Sequence, residues 1–415
     1  MLTGKPDAGN PPVRFGGRGG ELHPRSYPDP GALCPAVFLK CMRAKKMSAD
    51  PKKFLRLSGF VIIFTEVLPP SRMKKSIVFL LGAAALLSNS AFAQTASTTP
   101  VGVVTVSLPA GRSSAISVPL IGDSVYSGPI SSFTPNTITV SGTPWTAGQF
   151  TGTTPYFVQI KSGLHVGRML RITSNTASSI TVNTSDNLGL NVPLNVSGKA
   201  VVAGDTIQII TGDTLGSLFG TTVAEIAPLV GAARLTSADT VSTYDPLTGK
   251  ASTYFFNTSN GYWTKSGVVG NQNNLVIIPG QELGLLTLSS GGTKTLTFMG
   301  TVPDVAPTLK LEPKRVEMYG TTFPVDITLA QLNFGTNWVT NARFASADQI
   351  SIWQPTMNKY IAYFKKPDNM WYQNGVAASV NATVIPAGTA INIQTVTAGL
   401  TGAQVLYTIP LPYSL

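Results

Sequence analysis

The two residues whose spacing most suggests chemistry are Asp239 and Asp348, which occupy matching positions of an internal repeat. Two carboxylates facing each other across a cleft can act as acid and base, or as acid and nucleophile, in glycoside hydrolysis. Each aspartate also follows Ser-Ala directly before a predicted strand, where a turn or cap contact with the backbone accounts for it without catalysis. The structural interpretation is favoured, so a glycoside hydrolase is the less favoured hypothesis and no catalytic residue is assigned.

The sequence offers few residues for histidine or cysteine chemistry. After position 93 it contains one histidine, His165, and no cysteine. The segment KSGLH at 161–165 lacks the first glycine of a G-x-S-x-G nucleophile motif. A lone histidine with scattered carboxylates does not supply the three or four ligands of a zinc site. We predict that His165 is an exposed loop residue, that the protein is not an enzyme, and that it holds no metal or cofactor.

Aromatic residues recur at matching positions and are the candidate ligand-binding residues. Trp263 matches Trp371, and Tyr254 matches Tyr363. Such rings can stack on sugars, but tryptophan and tyrosine also bury large areas in β-domain cores. The core interpretation is favoured, because these rings alternate with small residues on predicted strands. Glycan binding through Trp263, Trp371, Tyr254 and Tyr363 is kept as the alternative.

A second binding motif lies just before the repeat. The segment ITGDTLGSLFGTTVAEI at 210–226 resembles the start of a LysM peptidoglycan-binding motif. The same region aligns internally with TLAQLNF at 328–334, and a LysM module would not contain the hairpin that follows. Peptidoglycan binding is therefore an alternative function and not the leading one.

The repeat itself predicts two related β modules. Residues 233–255 and 342–364 share 10 identities in 23 positions at a constant offset of 109. Weaker matches on both sides extend the modules to 205–290 and 316–395. In each block a proline starts a turn that ends at Gly249 or Asn358, the residue types that best accept a positive φ. Each block is therefore predicted to be a β-hairpin.

The rest of the chain also reads as strands. Short runs rich in valine, isoleucine and threonine, separated by glycine, proline and asparagine, predict an N-terminal antiparallel β domain at 101–200. Residues 396–415 predict one more strand. The expected fold is all-β, with this antiparallel domain followed by two duplicated β-sandwich or barrel-like modules.

A signal peptide is predicted at 73–93. Two lysines follow Met73, an apolar run follows them, and Ala91-Phe92-Ala93 is an A-x-A cleavage site before Gln94. We expect an extracytoplasmic protein, whether periplasmic, surface-bound or released. Residues 94–100 form a flexible lead-in, and residues 1–72 are expected to be a mis-assigned upstream extension without ordered structure.

Charge excludes one class of partner. Residues 1–93 carry a formal charge of +9 and residues 94–415 carry only +2, so the basic character lies upstream of the predicted cleavage site. A nucleic-acid-binding protein needs a basic surface, and we predict none. The mature chain has no apolar run long enough for a transmembrane span. Expected partners are envelope glycans or proteins, and the sequence does not set the oligomeric state.

Three blocks of residues carry a family resemblance. They are TPVGVVTV at 99–106 with PAG at 109–111 and SVPL at 117–120, then IKSG at 160–163 with GR at 167–168 and NTA at 175–177, then DTLGSLF at 213–219. Together they resemble an uncharacterised exported β-rich family of the Verrucomicrobia and related bacteria, over roughly 99–395. Asp213 departs from the family pattern, which has an aromatic residue there. The resemblance implies export and a β fold, and no activity.

These observations favour a secreted or cell-envelope protein with a structural or adhesive role that is not an enzyme. The alternative is a module that binds glycan or peptidoglycan, and a glycoside hydrolase is less favoured.

Overall fold

The computed structural model describes residues 55–57, 60–62, 100–185, 190–245 and 248–415. The predicted signal peptide and most of the lead-in lie outside these residues. Strands β1 (Leu55–Leu57) and β2 (Phe60–Ile62) form an antiparallel pair within a unit that spans Gly16–Thr98. This pair falls in the upstream stretch for which the sequence predicts no ordered structure. All further elements belong to the second unit, which contains Thr99–Leu415.

The all-β fold is confirmed, since strands supply nearly all regular structure from residue 100 onward. The strands in chain order are β3 (Val101–Leu108), β4 (Ser113–Ile116), β5 (Ser124–Phe133), β6 (Thr137–Val140), β7 (Tyr156–Ile160), β8 (Met169–Asn175), β9 (Ser179–Val182), β10 (Thr206–Thr211), β11 (Asp213–Thr214), β12 (Thr240–Asp245), β13 (Lys250–Asn257), β14 (Tyr262–Lys265), β15 (Val276–Ile277), β16 (Leu283–Leu286), β17 (Lys294–Thr301), β18 (Thr308–Lys310), β19 (Val316–Gly320), β20 (Ile327–Thr328), β21 (Gln349–Gln354), β22 (Lys359–Lys365), β23 (Trp371–Gln373), β24 (Val384–Ile385), β25 (Ala390–Gln394) and β26 (Leu406–Thr408). Helix α1 (Leu215–Phe219) and short 3-10 turns at Leu235–Ser237, Ser289–Gly291, Leu329–Gln331, Phe344–Ser346 and Gly402–Val405 connect them.

Six strands close into a barrel in the order β10-β5-β6-β9-β8-β7. Alternate residues of β6 and β9 are buried, as a strand with one face on a core requires. The inward side chains are aliphatic: Ile130, Ile138, Val140, Val158, Ile160, Leu170, Ile172, Ile180, Val182, Ile207 and Ile209. Burial of each such side chain contributes roughly 1.5–3 kcal/mol, so the barrel has a core of its own.

Two five-stranded sheets share one strand order. The first sheet runs β14-β13-β12-β16-β4, and the second runs β23-β22-β21-β25-β19. Two smaller antiparallel pairs also match, because β11-β15 corresponds to β20-β24, and β3-β17 corresponds to β18-β26. We call residues 101–120 with 213–301 the first module and residues 308–408 the second module. Blocks 233–255 and 342–364 lie at matching places in them.

The barrel interrupts the first module. Strands β3 and β4 pair with β17 and β16, and the barrel strands β5–β10 lie between β4 and β11 in the chain. The ends of the insert meet, since the N–H of Thr211 donates to the carbonyl of Asp123 at 3.0 Å. The domain limits therefore differ from those predicted from the sequence. Residues 101–120 belong to the first module and not to the predicted N-terminal domain, and β26 belongs to the second module. Pairing over such sequence distances leaves no local pattern.

The two modules meet through matched contacts. The N–H of Ser117 donates to the carbonyl of Gly388 at 2.9 Å, and the N–H of Gly320 donates to that of Gly280 at 2.7 Å. Strand register makes Ser117 the counterpart of Gly320, and Gly280 the counterpart of Gly388. A Cβ on Gly320 would lie 1.8 Å from the Ser117 side chain. The modules are thus related by an approximate two-fold axis that passes close to these two residues.

The residues that end the two hairpin turns have the predicted left-handed backbone. Gly249 has a φ of 66° and Asn358 a φ of 52°, at the ends of the β12-β13 and β21-β22 turns. The two different residues meet one steric demand, since both tolerate a left-handed conformation.

In the described part of the chain, no helix has both the length and the apolar character needed to cross a membrane.

Candidate functional site

Asp239 and Asp348 make the same backbone contacts in the two modules. Each carboxylate accepts one hydrogen bond from an N–H nine positions earlier and one from the loop after β16 or β25. The donors are Val230 and Leu288 at 2.7 Å in the first module, and Val339 and Val396 at 2.8 Å in the second. Both oxygens of each buried carboxylate therefore hold loops in place, which accounts for the recurrence of the aspartates without catalysis.

One neighbour distinguishes the two aspartates. Lys294 forms a buried ion pair with Asp239. Strand register places Val405 at the matching position of the second module. No ion pair to Asp348 occurs among the described residues, and burial raises the pKa of Asp348 above its usual value, opposed by the two backbone N–H groups. The backbone contacts are thus shared by both modules, and the cation is not.

The two tryptophans proposed as ligand-binding residues are buried. Trp263 is 1% exposed and lies between Phe219 and Phe256 in the core of the first module. Its indole N–H donates to the carbonyl of Gly220 at 2.8 Å. Trp371 is 0% exposed and packs on Trp338 in the core of the second module. Neither ring offers a face to a ligand.

The two tyrosines are buried as well. Tyr254 and Tyr363 are each 4% exposed and belong to the same two cores. The structure therefore corrects the candidate binding set, because all four rings fill the space between each sheet and its covering loops. Their alternation with small residues, which favoured a core role in the sequence, is the pattern of a half-buried strand.

The LysM-like segment supplies a helix cap and core side chains. Thr214 caps α1 by accepting the N–H of Ser217, whose hydroxyl in turn accepts the N–H of Thr214. Leu215 and Phe219 point into the core of the first module. The second module repeats this capping box at Thr328 on a 3-10 turn. Peptidoglycan binding through this segment stays a prediction.

His165 is buried and not exposed as the sequence suggested. Its side chain is 0% exposed, and neither ring nitrogen has a hydrogen-bond partner among the described residues. Burial, with Arg168 and Lys199 nearby, lowers the pKa of His165 to about 3. The ring is therefore neutral over the physiological range, and Arg168 directs two N–H groups to the carbonyls of Val192 and Thr184 instead.

A trough over the first sheet is the largest open concavity along the described residues of this module. Its floor is the sheet face opposite the core, where strand register places Ser242 between Thr253 and Gly284, and Tyr244 beside Ala251. The hydroxyls of Ser242 and Thr253 are 3.1 Å apart. About 1410 Å³ of atom-free space lies above this floor and opens to solvent. We call this surface the trough.

The trough ends at a carboxyl group beside a ring. Glu282 and Tyr244 line one end, together with Met318 from the second module. Glu282 is buried, and burial raises its pKa to about 7, against the opposing hydrogen bond from Tyr360. The sequence analysis did not point to Glu282, because a single glutamate carries no motif.

The matching face of the second sheet is filled by larger side chains. Trp353, Tyr360 and Asn392 stand where the first sheet has Tyr244, Ala251 and Gly284. The rings of Trp353 and Tyr360 meet edge to face with centroids 4.8 Å apart. The Trp353 indole donates to the carbonyl of Ser113 at 2.7 Å. The trough is open because Ala251 and Gly284 stand where the second sheet has Tyr360 and Asn392.

Family models, curated proteins and solved structures were all compared with this chain, and none matched it.

Proposed function

We propose that this is an extracytoplasmic protein with a structural or adhesive role, without enzyme activity, which holds a neutral glycan chain in the trough. The observation that carries the proposal is the trough floor, where hydroxyls, one ring and one carboxyl line an open channel. We also infer that the two modules derive from one duplicated unit, which their matched strand order supports.

The sequence supports the compartment and the absence of catalysis. The A-x-A site before Gln94 favours export, and the few charges after it suit an exposed β scaffold. Asp239 and Asp348 are engaged with backbone N–H groups, which favours a structural role for the pair.

The trough chemistry suits a polyol better than a protein segment. Serine and threonine hydroxyls both donate and accept hydrogen bonds, as sugar hydroxyls do. The Tyr244 ring offers an apolar surface with a polar tip, and the Glu282 carboxyl adds a strong acceptor. Leu286, which is exposed on the same face of the sheet, adds an aliphatic side chain to this surface.

The second sheet supplies the variant that tests this proposal. The triple substitution Tyr244→Trp, Ala251→Tyr and Gly284→Asn places the second-sheet side chains in the trough. We expect the wild-type chain to be retained on one insoluble polysaccharide or on peptidoglycan, and the triple variant to be lost from it. Co-sedimentation with each polymer, followed by tryptophan fluorescence of the supernatant, measures both.

The matched control adds a ring outside the trough. Thr297 is exposed on β17 and does not line the trough, so Thr297→Tyr should be retained like the wild type. If the triple variant is retained at wild-type affinity, the glycan binds outside the trough. A wild-type chain that no polymer retains would refute glycan binding and leave self-association or a protein partner.

A further inference from the structure

A second cavity lies where the barrel and the two modules meet. The barrel contributes Gly167 and Met169, the first module contributes the loop 278–282, and the second contributes residues 307–310 and 317–319. The cavity holds about 810 Å³ of atom-free space and is more enclosed than the trough. Because three parts of the fold each supply a wall, its shape depends on how the barrel is inserted.

Two buried carboxyl groups line this cavity. Glu282 is 6% exposed and Glu317 is 1% exposed. Oε1 of Glu282 accepts the Tyr360 hydroxyl at 3.3 Å, and Oε1 of Glu317 accepts the N–H of Glu312. Oε2 of each has no hydrogen-bond partner among the described residues. Two unsatisfied acceptors in one cavity are costly unless a donor reaches them.

The lysine that also lines the cavity is engaged elsewhere. Nζ of Lys310 donates to the carbonyls of Ser185 and Leu190, at 2.6 and 2.7 Å. It also lies 3.5 Å from Oε1 of Glu312, with which it forms an ion pair. Glu312 is shared with Arg315, whose Nε lies 4.0 Å from its Oε2, and the Lys310 charge also acts on Glu317. Oε2 of Glu282 and Oε2 of Glu317 nevertheless have no hydrogen-bond partner among the described residues.

The rest of the wall is mixed. Its apolar part consists of Met169, Ile278, Pro279, Pro307, Leu309 and Met318, and its polar part of Tyr244, Gln281, Thr308, Tyr319 and Thr322. Two carboxyl groups against such a wall are a poor metal site, since no group of three or more metal-ligating side chains occurs among the described residues. The combination suits a molecule with a positive end and a hydrocarbon body.

We propose that this cavity binds a primary alkylammonium compound, whose ammonium group donates to Oε2 of Glu282 and Glu317 and whose hydrocarbon chain packs on Met169, Leu309 and Met318. Charge-assisted hydrogen bonds of this type are about twice as strong as neutral ones. The apolar wall adds to affinity with each buried methylene. The inference does not depend on glycan binding in the trough.

The ionisation of the two carboxyls gives the site a pH dependence. Burial raises the pKa of Glu282 and of Glu317 to about 7 each, and for Glu317 the N–H of Glu312 and the charge of Lys310 oppose this effect. The other charged and titratable groups around the pair are Lys310, Glu312, Tyr244, Tyr319 and Tyr360, and burial raises the pKa of Tyr360 above its usual value. Binding should therefore tighten from pH 6 to pH 8 while the amine remains charged.

Isothermal titration of the purified chain with n-butylamine and with 1-butanol tests the proposal. We expect the amine to bind and the alcohol not to, with affinity rising between pH 6 and pH 8. Glu282→Gln and Glu317→Gln should each weaken amine binding about tenfold or more, because each removes a charged acceptor. Thermal unfolding of both variants checks that they are folded.

Two controls separate this site from other acids and from the trough. Asp348→Asn changes a buried carboxyl outside the cavity and should leave amine binding unchanged. Ala251→Tyr narrows the trough, and Ala251 does not line the cavity, so it should also bind amine normally. The proposal is overturned if the wild type binds no amine, binds the alcohol equally well, or keeps its amine affinity in both glutamine variants.

Discussion

The two modules share their strand order and backbone contacts but differ in their side chains. Both tie their loops with an aspartate that accepts two backbone N–H groups, and both cap the element after the short strand with a threonine. The first adds a buried lysine to its aspartate and keeps one sheet face open. The second has neither the lysine nor the opening. The two modules therefore share backbone contacts and differ in the side chains that face a cavity or the other module.

The sheet faces show the same contrast. Trp353 and Tyr360 pack against the first module, where they contact Ser113 and Glu282. Tyr244 and Ala251, at the matching positions, leave the trough. The face of the second sheet thus stabilises the junction between the modules, while the matching face of the first sheet lines the trough.

The largest effect should come from breaking the aspartate contacts. Asp239→Ala leaves two backbone N–H groups without an acceptor and also leaves Lys294 buried and unpaired, which adds about 3–5 kcal/mol for the loss of one partner of a buried ion pair. Asp348→Ala leaves only two backbone N–H groups without an acceptor, at about 1–3 kcal/mol each, and no stranded charge. Urea denaturation should therefore show a larger loss of unfolding free energy for Asp239→Ala.

Removing the lysine as well sharpens this prediction. The double variant Asp239→Asn with Lys294→Met has no unpaired buried charge. Its loss of unfolding free energy should therefore fall to about that of Asp348→Ala. Equal losses for Asp239→Ala and Asp348→Ala would mean that the lysine contributes nothing to the difference.

A second effect is a pH dependence of stability at Glu282. Glu282 matches Ala390 of the second module by strand register, and its pKa in the folded chain is raised to about 7. The folded state then holds its proton to higher pH than the unfolded state, so stability falls as pH rises from about 4.5 to about 7. Because one pKa unit equals about 1.4 kcal/mol, this carboxyl costs about 3 kcal/mol above pH 7.

Glu282→Gln should remove that slope. Its unfolding free energy relative to the wild type should rise by about 3 kcal/mol between pH 4.5 and pH 8. Asp123→Asn is the control, because Asp123 is exposed and outside the cavity. A pH-independent difference for Glu282→Gln would contradict burial of an ionisable group at this position.

The smallest expected effect concerns the axis between the modules. Gly320→Ala brings a methyl group into the Ser117 side chain, and such overpacking costs about 1–3 kcal/mol. Gly152→Ala is the matched control, because a Cβ there meets nothing within 4 Å. Thermal unfolding compares the two. If Gly320→Ala is as stable as Gly152→Ala, the modules do not depend on close approach at this point.

Local sequence patterns predicted the local features well. The prolines with Gly249 and Asn358 specified hairpin turns, and alternating β-branched residues specified strands. These features depend on residues within a few positions of one another, so the local sequence is enough to predict them.

The features that failed to show in the sequence depend on distant partners. The pairing of β3 with β17 joins Val101 to Thr301, and nothing near either strand identifies the other. His165 and Glu317 are types usually found near water, and only the packed structure buries them. The trough is open because Ala251 has no large side chain. The four candidate aromatic residues lie in the cores, and the sequence could not decide this because aromatic rings serve both in cores and in binding sites.

The position of the barrel also fixes an order of assembly. All six barrel strands lie between Ser124 and Thr211, so the barrel can fold as soon as that stretch of chain is available. Strand β3 must wait for β17, whose residues follow their partners by up to 200 positions. Until then one edge of β3 and of β4 stays unpaired, a state that favours aggregation. A chain that is threaded through a membrane from its N-terminus would thus present a finished barrel before its first module can close.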